Sequence, residues 1–170
     1  VCFHCREPGF SPIDEIIHSH RNADIDSFLP AMEYVVKNGG WCIRMGDPTM
    51  KPIIETEGII NYAHSNYRSD MADVLLCAGC DYFVGTSSGL WILSSIFGKP
   101  CALSNMIPVS TLGYSPLDIS IPKRLINKNT HKTLPYPEIF NSKIANYRIS
   151  QQYKDANLEI VENTPDEILE

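Results

Sequence analysis

Apolar positions come in short runs, and the spacing within them switches between strand and helix periods along the chain. Residues 1–5 read as a first strand. Residues 6–23 lose the pattern; with Pro8, Gly9, Pro12 and the His18/His20 cluster they read as a long polar loop. Asp24-Ile25-Asp26 then leads into an amphipathic helix, with Ile25, Phe28, Leu29, Met32, Tyr34, Val35 and Val36 apolar, and Gly39-Gly40 ends it. Residues 41–45 predict a second strand, broken by Gly46-Asp47-Pro48, and residues 59–63 a third. Ser69 or Asp70 caps a helix running to about Ala78. A fourth strand at 82–84, a helix at 88–97 ended by Gly98, and a fifth strand at 101–104 follow. Strands alternating with helices predict an α/β fold with a parallel sheet and crossover helices. Residues 106–157, dominated by Pro, Asn, Lys and Tyr, read as an irregular arm with a short helix near 135–145. Residues 158–161 look like a last strand, feeding a helix that starts at Pro165.

The turn Gly85-Thr86-Ser87-Ser88-Gly89 sits where a strand hands over to a helix. The first N–H groups of a helix have no partner within it, and the helix dipole favours negative charge there. In an open α/β sheet, ligands bind beyond the carboxyl ends of the strands. A phosphate-bearing small molecule is therefore the expected ligand.

With 170 residues the chain is about one domain long, read as a single domain spanning 1–170. Because Val1 is not a start Met and the sequence stops within a helix signal, a piece of a larger protein is expected. The net charge of −6 argues against broad nucleic-acid binding, which needs a basic face. No apolar run approaches the roughly 18 residues of a membrane span, and no signal peptide is visible. A cytoplasmic location is expected, with membrane association through the rest of the parent protein as the alternative. The cysteines form two CxxC pairs, Cys2/Cys5 and Cys77/Cys80, plus Cys42 and Cys101. Residues i and i+3 of a strand point to opposite faces, so Cys2 and Cys5 are poorly placed to share a metal. Cys77 and Cys80 fall at a helix C-terminus, the wrong pole for acidifying a thiol. Buried reduced thiols are the reading, with zinc and redox use as the alternatives.

Several residues at the carboxyl ends of the predicted strands could carry chemistry. Arg6 can hold two phosphate oxygens and stabilise a departing diphosphate, or pair with a carboxylate such as Glu7 or Asp47. His4 is a ligand contact or a core histidine. Arg44 and Asp47 end the second strand, where Asp47 can cap a turn, orient Arg44 or act as a base. His64 and Arg68 are candidates for phosphate or sugar, and Asp70 and Asp73 share a helix face. Asp24-Ile25-Asp26 invites a metal, but it precedes a helix, so capping is the better reading. The chain holds no G-x-x-x-x-G-K-[ST] and no G-x-G-x-x-G.

Together these residues resemble bacterial glycosyltransferases of the GT-B fold, specifically the nucleotide-sugar-binding C-terminal half. The chain looks closest to a bacterial family distantly akin to fucosyltransferases. His4-Cys5-Arg6 resembles their H-x-R motif, and the run Asp73 to Ser88 resembles their D-x-x-x-L-x-x-C-D-x-x-V-x-x-x-S-S motif. Arg44 to Pro48, Phe97 to Pro100 and Asn163 to Ile168 look similar too. The resemblance implies a Rossmann-like parallel sheet flanked by helices, and transfer of a sugar from a nucleoside-diphosphate donor. Arg6 and the Ser/Thr helix terminus can stabilise the leaving diphosphate by themselves, so direct displacement with inversion, without a metal or other cofactor, is expected. The resemblance also implies that Arg6 neutralises the diphosphate, that Asp73 reads the base, that Thr86, Ser87 and Ser88, with Gly89, bind phosphate, and that His4 lines the site. Where many fucosyltransferases carry a second Arg after H-x-R, this chain has Glu7; GDP-fucose is one donor among several. Glu7 and Asp47 are local candidates for the general base. The acceptor, a glycan or lipid-linked glycan, would bind an N-terminal domain outside these residues. A sugar-nucleotide epimerase and a non-catalytic nucleotide or glycan-binding module are the rival readings.

Overall fold

The computed structural model describes residues 1–9, 11–111 and 113–170. Six parallel strands form its main sheet: β1 (Cys2–His4), β2 (Cys42–Arg44), β3 (Ile59–Ile60), β4 (Phe83–Gly85), β5 (Cys101–Met106) and β6 (Ile119–Pro122). Their order is β3-β2-β1-β4-β5-β6, a Rossmann-like arrangement. Successive residues of β1 feed opposite faces: Cys2 joins a cluster with Phe83, Trp91 and Leu103, whereas Phe3 and Cys5 join one with Phe28, Met32 and Ile59. Cys2 and Cys5 therefore lie on opposite sides of the sheet, and all six cysteines are free and buried.

Helices cover both faces. The helices α3 (Asp70–Gly79) and α4 (Gly89–Ile96) pack on the Trp91 side. Ser69 and Ser88 cap them by accepting from Ala72 N and Trp91 N. The other side carries α2 (Leu29–Lys37) and α7 (Pro165–Leu169). Asp24 caps the 3-10 turn that leads into α2, as its position before a helix suggests. Between α3 and α7 the remaining short helices are α5 (Tyr136–Phe140) and α6 (Ser150–Asp155).

Three segments depart from the expected pattern. The strand expected at 59–63 is only Ile59–Ile60, and a 3-10 turn at Tyr62–His64 takes the place of its end. Residues 6–23 are not all loop: α1 (Pro12–His18) forms there, capped by Ser11, followed by a 3-10 turn at Ser19–Arg21. Residues 106–157 are not an irregular arm either. They supply β6 and, with β9 (Leu158–Val161), an antiparallel sheet of β8 (Lys132–Thr133), β7 (Arg124–Asn127) and β9. That small sheet has its own apolar cluster around Leu125, Ile139 and Tyr153. Residues flanking that sheet hold down the turn after α1: Ser150 Oγ, at the start of α6, accepts from His20 N, and Lys123 Nζ, just before β7, donates to the carbonyl of Asn22.

The loops after β1 and β2 are pinned by a buried ion pair. Arg44 Nη2 lies 2.5 Å from Glu7 Oε2, with the Arg44 side chain wholly buried. Glu7 also accepts from Lys51 N, and Arg44 Nη1 donates to Met45 O. Removing one partner leaves an uncompensated charge in the interior. Glu7→Ala should cost about 3–5 kcal/mol in urea unfolding, and the double variant Glu7→Gln/Arg44→Met should recover most of it. A single variant as stable as the parent would show that the pair is not a structural pin.

Candidate functional site

The chain turns left from β1 to β2 and right from β4 to β5, which opens a crevice beyond the carboxyl ends of β1 and β4. The two strands come unusually close there. A Cβ on Gly85 would collide with the His4 carbonyl oxygen, so only glycine fits. Thr86 N donates to that carbonyl, and Thr86 Oγ1 accepts from Arg6 N at 3.0 Å. Above this junction lies a cleft of about 500 Å³, lined by the ends of β1 and β2, α1, and the N-termini of α3 and α4.

The structure brings most of the expected residues to this cleft and separates a few from it. His4, Arg6, Glu7, Asp47, Arg68, Asp73, Ser88 and Gly89 line it. Arg44 is buried behind it on Glu7, and His64 does not line it; its imidazole lies 3.4 Å from Asn61 Oδ1. Thr86 is fully buried in the strand junction. Ser87 Oγ donates to Ile107 O, and Ser88 Oγ is occupied as the cap of α4. The three hydroxyls thus hold scaffold bonds, and what faces the cleft at this turn is the backbone start of α4.

Arg6 reaches the cleft already engaged. Its guanidinium donates to Asp14 Oδ2 at 2.5 Å, to the His18 carbonyl at 3.1 Å and to Asn22 Oδ1, with Glu15 3.7 Å away. The partners are therefore Asp14 and Glu15 of α1, not Glu7 or Asp47. Hydrogen bonds from Arg6 and then His18 hold the Asp14 carboxyl below its usual range.

Of the three arginines that line the cleft, Arg6, Arg21 and Arg68, Arg21 is the one without a carboxylate partner among the described residues. Its Nη2 donates to Ser87 O at 2.7 Å and its Nε to Ser87 Oγ. Burial lowers its pKa. Arg21 thus stands beside the N-terminus of α4, a cation and free helix amides on one wall of the cleft. The polar loop gave no periodicity to single it out. Ser11-Pro12 followed by Asp14 and Glu15, a helix-start signature, was the available signal.

The opposite wall is acidic. Asp47 Oδ1 accepts from Thr49 N at 2.8 Å and Thr49 Oγ1 at 2.5 Å, while its Oδ2 is buried with no partner among the described residues. Asp73 lies 3.7 Å from Arg68 and also leaves one oxygen, Oδ1, unmet; Asp70 stands beside it at the start of α3. Gly46, at φ +143, has no room for a side chain beside Arg44 and Met50, and its carbonyl accepts from Arg68 Nε. Between the walls sits His4, whose Nδ1 is unmet; burial, helped by the Arg44 charge, holds its imidazole down to about 3. At neutral pH His4 is an uncharged hydrogen-bonding group and a poor proton acceptor.

Among the described residues no group of three or more His, Cys, Asp or Glu side chains is arranged to hold a metal ion, and no helix is long and apolar enough to cross a membrane. In comparisons with family models, curated proteins and solved structures, nothing matches this chain.

His4 and His20 make the fold sensitive to acid. Burial keeps their folded pKa values near 3 and 4, against about 6.5 in an unfolded chain. Below pH 6.5 the unfolded chain binds these protons first, so their contribution is full above that pH and falls as pH drops toward the folded values. By pH 5 each histidine should cost about 2 kcal/mol. Urea unfolding at pH 7 and pH 5 should show the midpoint fall, and a flat profile would mean these imidazoles are not buried neutral.

Proposed function

We propose that this chain is the donor-binding half of a GT-B glycosyltransferase, holding a nucleoside-diphosphate sugar in the switch-point cleft. The observation that carries the proposal is the polarity of that cleft. One wall offers the α4 N-terminus and Arg21 to an anion; the other offers the unmet carboxylate oxygens of Asp47 and Asp73 to hydrogen-bond donors. A nucleoside diphosphate has both ends, phosphates for the first wall and hydroxyls and base N–H groups for the second. Helix amides and a guanidinium can stabilise the leaving diphosphate without a metal ion, which suits direct displacement with inversion at the sugar carbon. Arg6 joins them once phosphate oxygens replace the Asp14 and Glu15 carboxylates on its guanidinium. The acceptor, a glycan or lipid-linked glycan, and the base that deprotonates it would come from an acceptor-binding domain of the same protein.

Calorimetry with GDP, UDP, ADP and CMP, with and without Mg²⁺, tests this. One nucleoside diphosphate should bind saturably and equally well without the metal. Gly89→Asp supplies the control, because a Cβ at Gly89 meets nothing within 4 Å and an acid in the first helical turn suits the dipole. It should leave thermal stability unchanged or raised while weakening nucleotide binding at least about tenfold. A folded protein that binds none of the nucleotides, or a Gly89→Asp variant that binds them as the parent does, would count against the α4 anion site.

A further inference from the structure

We infer that Asp47 reads a ribose hydroxyl of the bound nucleotide through its Oδ2 atom. This rests on the nucleoside-diphosphate reading of the cleft and goes beyond it by naming the group that selects ribonucleotides. Asp47 is only 8 % exposed, yet its two oxygens have different surroundings. Oδ1 is spent on the turn, accepting both hydrogen bonds from Thr49. Oδ2 is buried and has no donor among the described residues, on a residue that lines the cleft. A buried carboxylate oxygen left unmet is costly, so Oδ2 calls for a donor, which a ligand hydroxyl can supply.

The surroundings select the kind of donor. Arg68 is held alongside by the Gly46 carbonyl and by Asp73. A cationic ligand group would meet the Arg68 charge, and an anionic one would meet Asp47 and Asp73. A neutral hydroxyl fits both. The residue also stands just past the carboxyl end of β2, in a sheet ordered β3-β2-β1-β4-β5-β6. In open sheets of this order an acid in that region can accept from ribose hydroxyls while the phosphates lie at a helix N-terminus. His4, neutral and with Nδ1 unmet, lies between the two positions and can bond the same sugar.

Asp47→Asn isolates the claim. The amide oxygen can keep both Thr49 bonds, while the NH₂ group replaces the unmet acceptor with a donor. The affinities to compare are those of the best-bound ribonucleoside diphosphate, its 2′-deoxy and 3′-deoxy analogues, and inorganic pyrophosphate. The parent protein should prefer the ribonucleotide over at least one deoxy analogue by about tenfold or more. Asp47→Asn should lose that preference and still bind pyrophosphate as the parent does. Thr49→Val, which removes only the side-chain bond to Oδ1, should retain the preference. A parent protein indifferent to the missing hydroxyls, or an Asp47→Asn variant that keeps the preference, overturns the inference. So does an equal loss of pyrophosphate binding in Asp47→Asn, which would mark Asp47 as a structural residue. Failure of the parent to bind pyrophosphate would instead strike the phosphate site itself, and with it the nucleotide reading.

Discussion

The close approach of β1 and β4 is the constraint from which the cleft follows. These neighbouring strands come from distant parts of the chain, and the connections after them leave for opposite sides of the sheet. No crossover helix can then cover the gap beyond their ends. Gly85 lets the backbones meet, and Thr86 locks them through the His4 carbonyl and the Arg6 N–H. With that junction fixed, the loops after β1, β2 and β4 converge on one opening. The Arg44–Glu7 pair then sets the spacing of the first two loops. A buried ion pair is a weak source of net stability, because desolvation offsets much of the attraction. Its use here is positional: it holds the start of the acidic wall at a fixed distance from the end of β1.

The small antiparallel sheet finds its role in the same frame. It lies outside the main sheet, yet Ser150 and Lys123 fasten the turn that carries Arg21. Arg21 in turn is fixed on the Ser87 carbonyl. The cation beside the α4 N-terminus is thus positioned by contacts from residues more than 100 positions along the chain, not by its own loop alone. A long cationic side chain loses conformational freedom when it is held, and two anchors on Ser87 meet that cost before any ligand arrives.

Much of residues 1–105 was legible in the sequence because its elements obey simple periods. The strands are buried and apolar, and Ser69, Ser88 and Asp24 stand where helix starts require them. What escaped was governed by other forces. In α1, Ile13 and Ile16 point to solvent while Asp14 and Glu15 face inward to Arg6, so the usual amphipathic rule is inverted. The strands β6 to β8 have two to four residues each, too few for a period to emerge, and Ile119 and Ile121 are exposed. Arg21 carries no local signature, since its importance arises from contacts 66 residues away.

The hydroxylated turn shows where residue type and role part company. Thr86, Ser87 and Ser88 attract attention as phosphate ligands because each could donate to an anion. In the fold, one staples two strands, one bonds the Ile107 carbonyl and receives Arg21, and one caps α4. Capping satisfies only one of the helix's orphan donors, so the others remain for a ligand. The hydroxyls build the anion site without being the atoms that touch the anion. Small residues are needed because the backbone itself must come close, and Gly89 leaves that approach open. The chemistry expected of the motif therefore survives, transferred from its side chains to its main chain.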